Sequence, residues 1–130
     1  MEIKLLSAQK AMTLAKEKAN SIGVAADVAI VDNYGYLKLF ERMDNAFLGS
    51  IDVALQKAKT AMLFRMSSEQ VGSFLEPAAA AHGLINTSGG LVGFKGGLPV
   101  KENDEIIGYI GVSGGSPDQD LEIATAGSIL

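Results

Sequence analysis

The sequence predicts an α+β fold with a single antiparallel sheet, built from two hairpins and flanked by helices. Three observations carry this reading. Short apolar runs at 27–32 and 36–42, and again at 98–101 and 105–113, are each separated by turn residues, and hairpins impose antiparallel pairing. Two longer segments, 8–22 and 51–64, repeat apolar residues at helical spacing. The order is helix, hairpin, two helices, hairpin, helix, and not the strand–helix alternation of a parallel sheet.

Taken in order, Ser7 is placed to cap the first helix, whose apolar face is Ala8, Ala11, Met12, Ala15, Ala19 and Ile22, and Gly23 stops it. Residues 27–32 are apolar at nearly every position, which suits a central strand covered on both sides. Asp32-Asn33-Tyr34-Gly35 supplies the turn into the second strand. Ser50 is placed to cap the second helix, with Ile51, Ala54, Leu55, Ala58, Ala61 and Met62 as its stripe and Lys57 on the border. A short third helix begins at Ser67 or Ser68 and ends before Pro77. Residues 83–97 read as an irregular, glycine-rich stretch carrying Leu91, Val92 and Phe94, a pattern of subunit or ligand contact or of a loop tucked on its own core. Asn103-Asp104 turns the second hairpin, and Ser116-Pro117-Asp118-Gln119 opens a last helix that runs to the C-terminus, with Ser as cap, Pro at the first helical position and Gln for a capping box.

With 130 residues and no linker, repeat or low-complexity segment, the chain reads as one domain, 1–130. Hydrophobic residues reach 48% against 20% charged, an apolar balance that points to burial against another copy as well as within the core. The net charge of −4 and a pI near 4.9, with Lys and Arg scattered, exclude the basic footprint that nucleic acid or an anionic membrane requires. Cysteine is absent, which removes disulfides, thiolate metal sites and Cys nucleophiles. No signal pattern opens the chain and no apolar run reaches ~18–20 residues, so the cytoplasm is the expected compartment.

Four places carry chemistry. Gly111-Val112-Ser113-Gly114-Gly115 matches G-x-S-x-G after a strand, but the single histidine, His82, precedes the serine, and the next helix starts only at Pro117. The same turn, with Ser113 and Gly114, leads into a helix N-terminus able to bind an anionic ligand, although Asp118 and Asp120 already place negative charge there. His82 is too isolated for zinc, which needs further ligands, and sufficient as one axial ligand to haem iron; the plainer reading is a loop histidine. Arg42 and Lys57 are candidate contacts to a ligand carboxylate, a clamp that Arg forms in bidentate fashion, or else members of ordinary surface ion pairs.

Read together, several blocks resemble one family. They are Ala29-Ile30-Val31-Asp32 with Gly35, Phe40-Glu41-Arg42-Met43-Asp44, Ala54 through Ala61 around Lys57-Ala58, and Gly96-Gly97-Leu98-Pro99-Val100. Ile107 through Gly115, Asp118-Gln119-Asp120 and Ala124 complete them. The chain resembles the GlcG/HbpS family, and is similar to the C-terminal domain of PduO-type corrinoid adenosyltransferases. The resemblance implies a GlcG-like, profilin/PAS-like layout that assembles into homo-oligomers and has no defined catalytic centre. It also implies haem as a cofactor in some members, and in others a place beside glycolate, diol or glycerol utilisation enzymes. Haem-binding members use a histidine, in some cases on the first helix. This chain has none between Ala8 and Ile22, which leaves His82, Met43 and Met66 as candidates. The expected function is an oligomeric small-ligand binder for haem or a related tetrapyrrole. The alternatives are a non-catalytic accessory protein of glycolate, diol or glycerol utilisation, and, less favoured, an enzyme acting on a small carboxylate through Arg42 and Lys57.

Overall fold

A computed structural model of the chain describes residues 2–130. Its elements are α1 (Leu5–Ser21), β1 (Asp27–Val31), β2 (Leu37–Arg42), α2 (Gly49–Phe64), α3 (Ser68–Leu75), a 3₁₀ segment (His82–Gly89), β3 (Gly97–Glu102), β4 (Glu105–Ser113) and α4 (Pro117–Gly127). The four strands form one antiparallel sheet in the order β2-β1-β4-β3, so the two hairpins meet through their inner strands. β1 is buried along its whole length and β4 nearly so, because helices cover both faces of these strands. That is why the two runs are apolar throughout and do not alternate.

On one face, α1 and α4 pack Ala8, Ala11, Met12, Ile123 and Ala124 over Val28, Ile30, Ile110 and Val112. On the other, α2 lays Ala58 and Ala61 on Val31 and Tyr109. The approach of α2 depends on Gly111, since a Cβ there would overlap the Ala54 carbonyl and come within 2.6 Å of the Ala58 nitrogen. The first hairpin turns as expected, with Asp32 Oδ1 accepting from the N–H groups of Tyr34 (2.8 Å) and Tyr36 (3.0 Å).

Both central serine caps on the fourth and third helices form: Ser116 with Gln119 and Ser67 with Gln70 make complete capping boxes. The first two helices differ from the sequence expectation. α1 begins at Leu5 with no side-chain cap, and the Ser7 hydroxyl donates to Glu102 (3.2 Å), tying the helix to the end of β3. α2 begins at Gly49, so Ser50 lies inside its first turn and is buried there. Residues 82–89 are not irregular but 3₁₀, with a break at Thr87 and Ser88, and α4 stops at Gly127, short of the C-terminus.

Candidate functional site

Lys57 is not on the border of α2 but has no exposure at all. Its ammonium donates to the Val112 carbonyl (2.8 Å) and to Asp120 Oδ2 (3.0 Å), and it lies over the Phe94 ring, 4.6 Å from the centroid. Asp120 Oδ1 in turn accepts from the Gly115 N–H (2.8 Å). Burial pushes the Lys57 amine down, an effect that Asp120 offsets in part. Burial likewise pushes the Asp120 carboxyl up, against the pull of the Gly115 N–H and Lys57. The glycine-rich turn after β4 therefore does bind a carboxylate at a helix start, and that carboxylate belongs to the chain's own Asp120. Ser113 and Gly114 border this arrangement; Gly114 sits at φ 145 with no room for a Cβ beside the Ala25 carbonyl.

Arg42, Asp27 and Ser113 form a row across the sheet, paired as Asp27↔Arg42 and Asp27↔Ser113. Directly opposite residues share a face, and Val31, two steps from Ala29 and four from Asp27, places this one on the α2 side. The step from Gly111 to Ser113 is about 7 Å along the strand, or roughly four helical residues, which sets the first turn of α2 over the row. Arg42 is exposed; Asp27 is fully buried, and neither carboxyl oxygen has a hydrogen-bond partner among the described residues. Burial pushes the Asp27 carboxyl up, and the Arg42 guanidinium offsets only part of this. Arg42 and Lys57 are thus not joined as a clamp: the Lys57 donors are taken internally, while Arg42 faces Asp27 at the sheet edge.

The third place is a furrow along α3. One lobe, about 350 Å³, has walls from Leu75, Ile85, Leu91, Val92 and Phe94. A second lobe of about 550 Å³ shares Gly72, Glu76, Gly93 and Phe94 with it and continues to Glu69, Lys95 and Asp118, which makes it net acidic. Gly72 and Gly93 meet backbone to backbone, so the glycine-rich loop is clamped onto α3. His82 lines neither lobe but flanks the furrow, its Nδ1 2.5 Å from the backbone carbonyl of Leu75, a wall residue. A carbonyl only accepts, so Nδ1 carries a proton, and of the two neutral tautomers this contact selects the one with its lone pair on Nε2. That is the tautomer an axial ligand requires, with the second-shell carbonyl that usually orients one. The two methionine candidates are placed differently: Met43 Sδ accepts from the Ala26 N–H (3.4 Å), and Met66 packs against Val71, Leu75 and Leu91. Ser113 and His82 make no hydrogen bond to one another, so the G-x-S-x-G segment has no histidine base beside it.

A separate apolar groove of about 490 Å³ runs along the outer face of α1, walled by Leu6, Gln9, Thr13, Leu14, Ile129 and Leu130 with Lys10 at its rim. Leu6 is 67% exposed and Ile129 72%. No His, Met or Tyr lines it, so a metal-bearing ligand would find no axial donor there. Sequence reasoning missed Asp27 altogether; it placed Asp120 in the first turn of the last helix without its Lys57 partner, and Phe94 in a stretch read as subunit or ligand contact or a loop tucked on its own core. The available signal was the density of small residues around Lys57, namely Ala54, Ala58, Ala61 and the Gly96-Gly97 pair, which marks a helix face too closely packed for a solvated amine.

Comparison with known proteins agrees with the architecture. A family model described as "Haem degrading protein HbpS-like" matches residues 3–128. A 15.0 kDa protein of the dhaT-dhaS intergenic region of Citrobacter freundii is 38% identical over 123 residues, covering 94% of this chain and 87% of that one. The corrinoid adenosyltransferase PduO of Salmonella typhimurium is 36% identical over 111 residues, 85% of this chain but only 33% of the enzyme's length. The crystal structure of a PduOC:heme complex superposes with a TM-score of 0.90 at 31% identity, covering 98% of this chain and 93% of that one. Matched from end to end in sequence and in fold, the chain belongs to the HbpS-like family.

Proposed function

We propose that this protein binds haem or a related tetrapyrrole in the α3 furrow, with His82 as the axial ligand, and that it works as a homo-oligomer. The observation that carries the reading is the His82 ring, fixed through Nδ1 on the backbone carbonyl of Leu75, a residue that walls the apolar lobe of the furrow. Leu75, Ile85, Leu91 and Phe94 would supply apolar walls to the group, and Nε2 of His82, which flanks this lobe, would supply the donor. The second lobe carries Glu69, Glu76 and Asp118 around Lys95, so acidic substituents of the ligand would point away from it, toward solvent. Bound there, haem would supply a redox-active iron; the chain's part is to hold it and keep water from its apolar edge. The haem complex of the PduOC domain supports the choice of ligand. The exposed apolar groove on α1, which has no donor, is the face assigned to a second copy. A cytoplasmic site of action agrees with the acidic, cysteine-free composition, and no helix among the described residues is long and apolar enough to cross a membrane.

The test is a hemin titration followed by the Soret band, with His82→Ala alongside. Saturable binding at unit stoichiometry, lost or spectrally altered in His82→Ala, is expected. Saturable binding with an unchanged Soret band in His82→Ala would sink the axial assignment. No specific binding by the parent protein would favour a second reading, a non-catalytic accessory role in diol or glycerol utilisation, supported by the match to one segment of PduO.

A further inference from the structure

Phe94 is the one aromatic residue, among those described, that lines both lobes of the α3 furrow. It is also held more firmly than an exposed loop residue needs to be. Its carbonyl accepts from the buried Ser68 hydroxyl (2.6 Å), which itself accepts from the Gly97 N–H (2.8 Å). Gly93, just before it, is pressed against Gly72 with no room for a side chain at either position. Beneath the ring lies the Lys57 ammonium, 4.6 Å from the centroid and closed off from water. Yet Phe94 remains 47% exposed. An aromatic ring fixed by its carbonyl, by its neighbour and by one face, with the rest left open to a cleft, is a built surface.

From this geometry we infer that the outer face of Phe94 is the floor on which the planar ring system of the ligand stacks, and that the buried Lys57–Asp120 pair is the positioning element beneath it. The inference rests on the α3 furrow being the binding site, but not on His82 being the axial ligand. The physical logic has two parts. Offset stacking on a flat ring rewards a planar π-system over a flexible apolar chain of equal area. A cation held against the inner face draws π-density toward itself, so the outer face is poorer in electrons and favours an electron-rich macrocycle. Asp120 keeps the ammonium in place: its carboxylate and the Val112 carbonyl take two of the three N–H donors, and the ring covers the remaining side. At the far lobe Lys95 is already paired with Asp118 (2.6 Å) and Glu69 (3.6 Å), and Glu76 adds a further carboxylate, so that lobe turns acidic substituents away and the contact offered to a ligand is the ring face itself. The ligand class is therefore a planar, largely apolar macrocycle, with any acid groups directed away from the Glu69, Glu76 and Asp118 lobe.

Metal-free protoporphyrin IX separates this from axial ligation, because it has no iron to bind. Its fluorescence is titrated with the parent protein, Phe94→Leu, Phe94→Tyr, His82→Ala and the double variant Lys57→Met/Asp120→Asn, which removes both buried charges together. Expected is a loss of affinity of roughly 3- to 10-fold in Phe94→Leu, the scale of one aromatic stacking contact, with Phe94→Tyr within about twofold of the parent. His82→Ala is expected to leave this porphyrin's affinity unchanged. The double variant is expected to unfold cooperatively and still lose affinity by about the same factor as Phe94→Leu; a merely structural pair would change the melting temperature alone. Parent-like affinity in Phe94→Leu, or no saturable binding by the parent protein, overturns the stacking floor. Parent-like affinity in the folded double variant overturns the role given to Lys57 and Asp120. An unchanged hemin Soret band in His82→Ala, with porphyrin binding intact, counts against His82 only and leaves the stacking floor standing.

Discussion

Removing one member of the Lys57–Asp120 pair is expected to cost far more than removing both. Lys57→Met leaves the Asp120 carboxylate, 2% exposed, with backbone N–H donors from the glycine turn and no counter-charge. Asp120→Asn leaves an ammonium with no exposure facing a carbonyl and a ring. Breaking a buried pair in this way typically costs about 3–5 kcal/mol, because a charge stays behind in a site that cannot solvate it. For a domain of this length that is a fall in melting temperature of about 10–20 °C and a large share of a total stability of about 5–15 kcal/mol. The double variant Lys57→Met/Asp120→Asn keeps an acceptor for the Gly115 N–H and buries no charge, so it is expected within about 2 kcal/mol of the parent. The assay is urea unfolding of all four proteins at pH 7, with a shared m-value as the condition for comparing them. Additive losses would refute the reasoning, since they would mean that each charge is solvated independently of the other.

Three further outcomes are expected. Burial holds the Asp27 carboxyl above 3.8, so the native state keeps a proton that the unfolded state has lost; stability is full below pH 3.8 and falls as pH rises through the folded value. Asp27→Asn should therefore stabilise the protein more at pH 7 than at pH 3.5 in urea melts, and an equal effect at both would show that Asp27 ionises as it does unfolded. Light scattering at micromolar concentration should report a multimer that Leu6→Glu with Ile129→Glu dissociates, the two being the most exposed apolar side chains of the α1 groove; a 13.6 kDa monomer before substitution would remove that face from consideration. Ser113→Ala should leave ester hydrolysis at background, because no histidine stands beside the serine; a serine-dependent rate would restore the nucleophile reading.

What the sequence disclosed was set by how local the determining chemistry is. The hairpin at Asp32–Gly35 and the capping box at Ser116–Gln119 are decided by side chains bonding backbone two to four residues away, and both form as read. The family resemblance was legible for a related reason: its blocks sit on the close-packed glycine and alanine positions that fix α2 against the sheet, and their spacing follows the fold. Ser7 and Ser50 carry the same local preference, but tertiary partners overrode it: Ser7 bonds Glu102, 95 residues on, and Ser50 is buried under α2. Lys57 reads as a border residue on a helical wheel because its partner is 63 residues away and looks like any acid in the first turn of a helix. The 3₁₀ segment has no apolar period to find. It is built from short bonds such as Leu84 N–H to the Ala81 carbonyl, which leave no pattern in residue type.

The same close packing decides where a ligand can be held. With Gly111 under Ala54 and Gly97 under the Lys57 backbone, α2 lies too near the sheet for an internal cavity of ligand size on that face. The opposite face is filled by Met12, Ile110 and Ile123. A planar ligand is left with furrows at the surface, where one of its faces stacks on the protein and the other meets water. Such a site gains most of its missing apolar contact if a second molecule covers it. Ligand affinity and assembly are then linked, since anything that binds the assembled state better must also promote assembly. Whether the covering copy does so from its own furrow or from its α1 groove is decided by which set of substitutions, at Phe94 or at Leu6 and Ile129, makes porphyrin affinity independent of protein concentration.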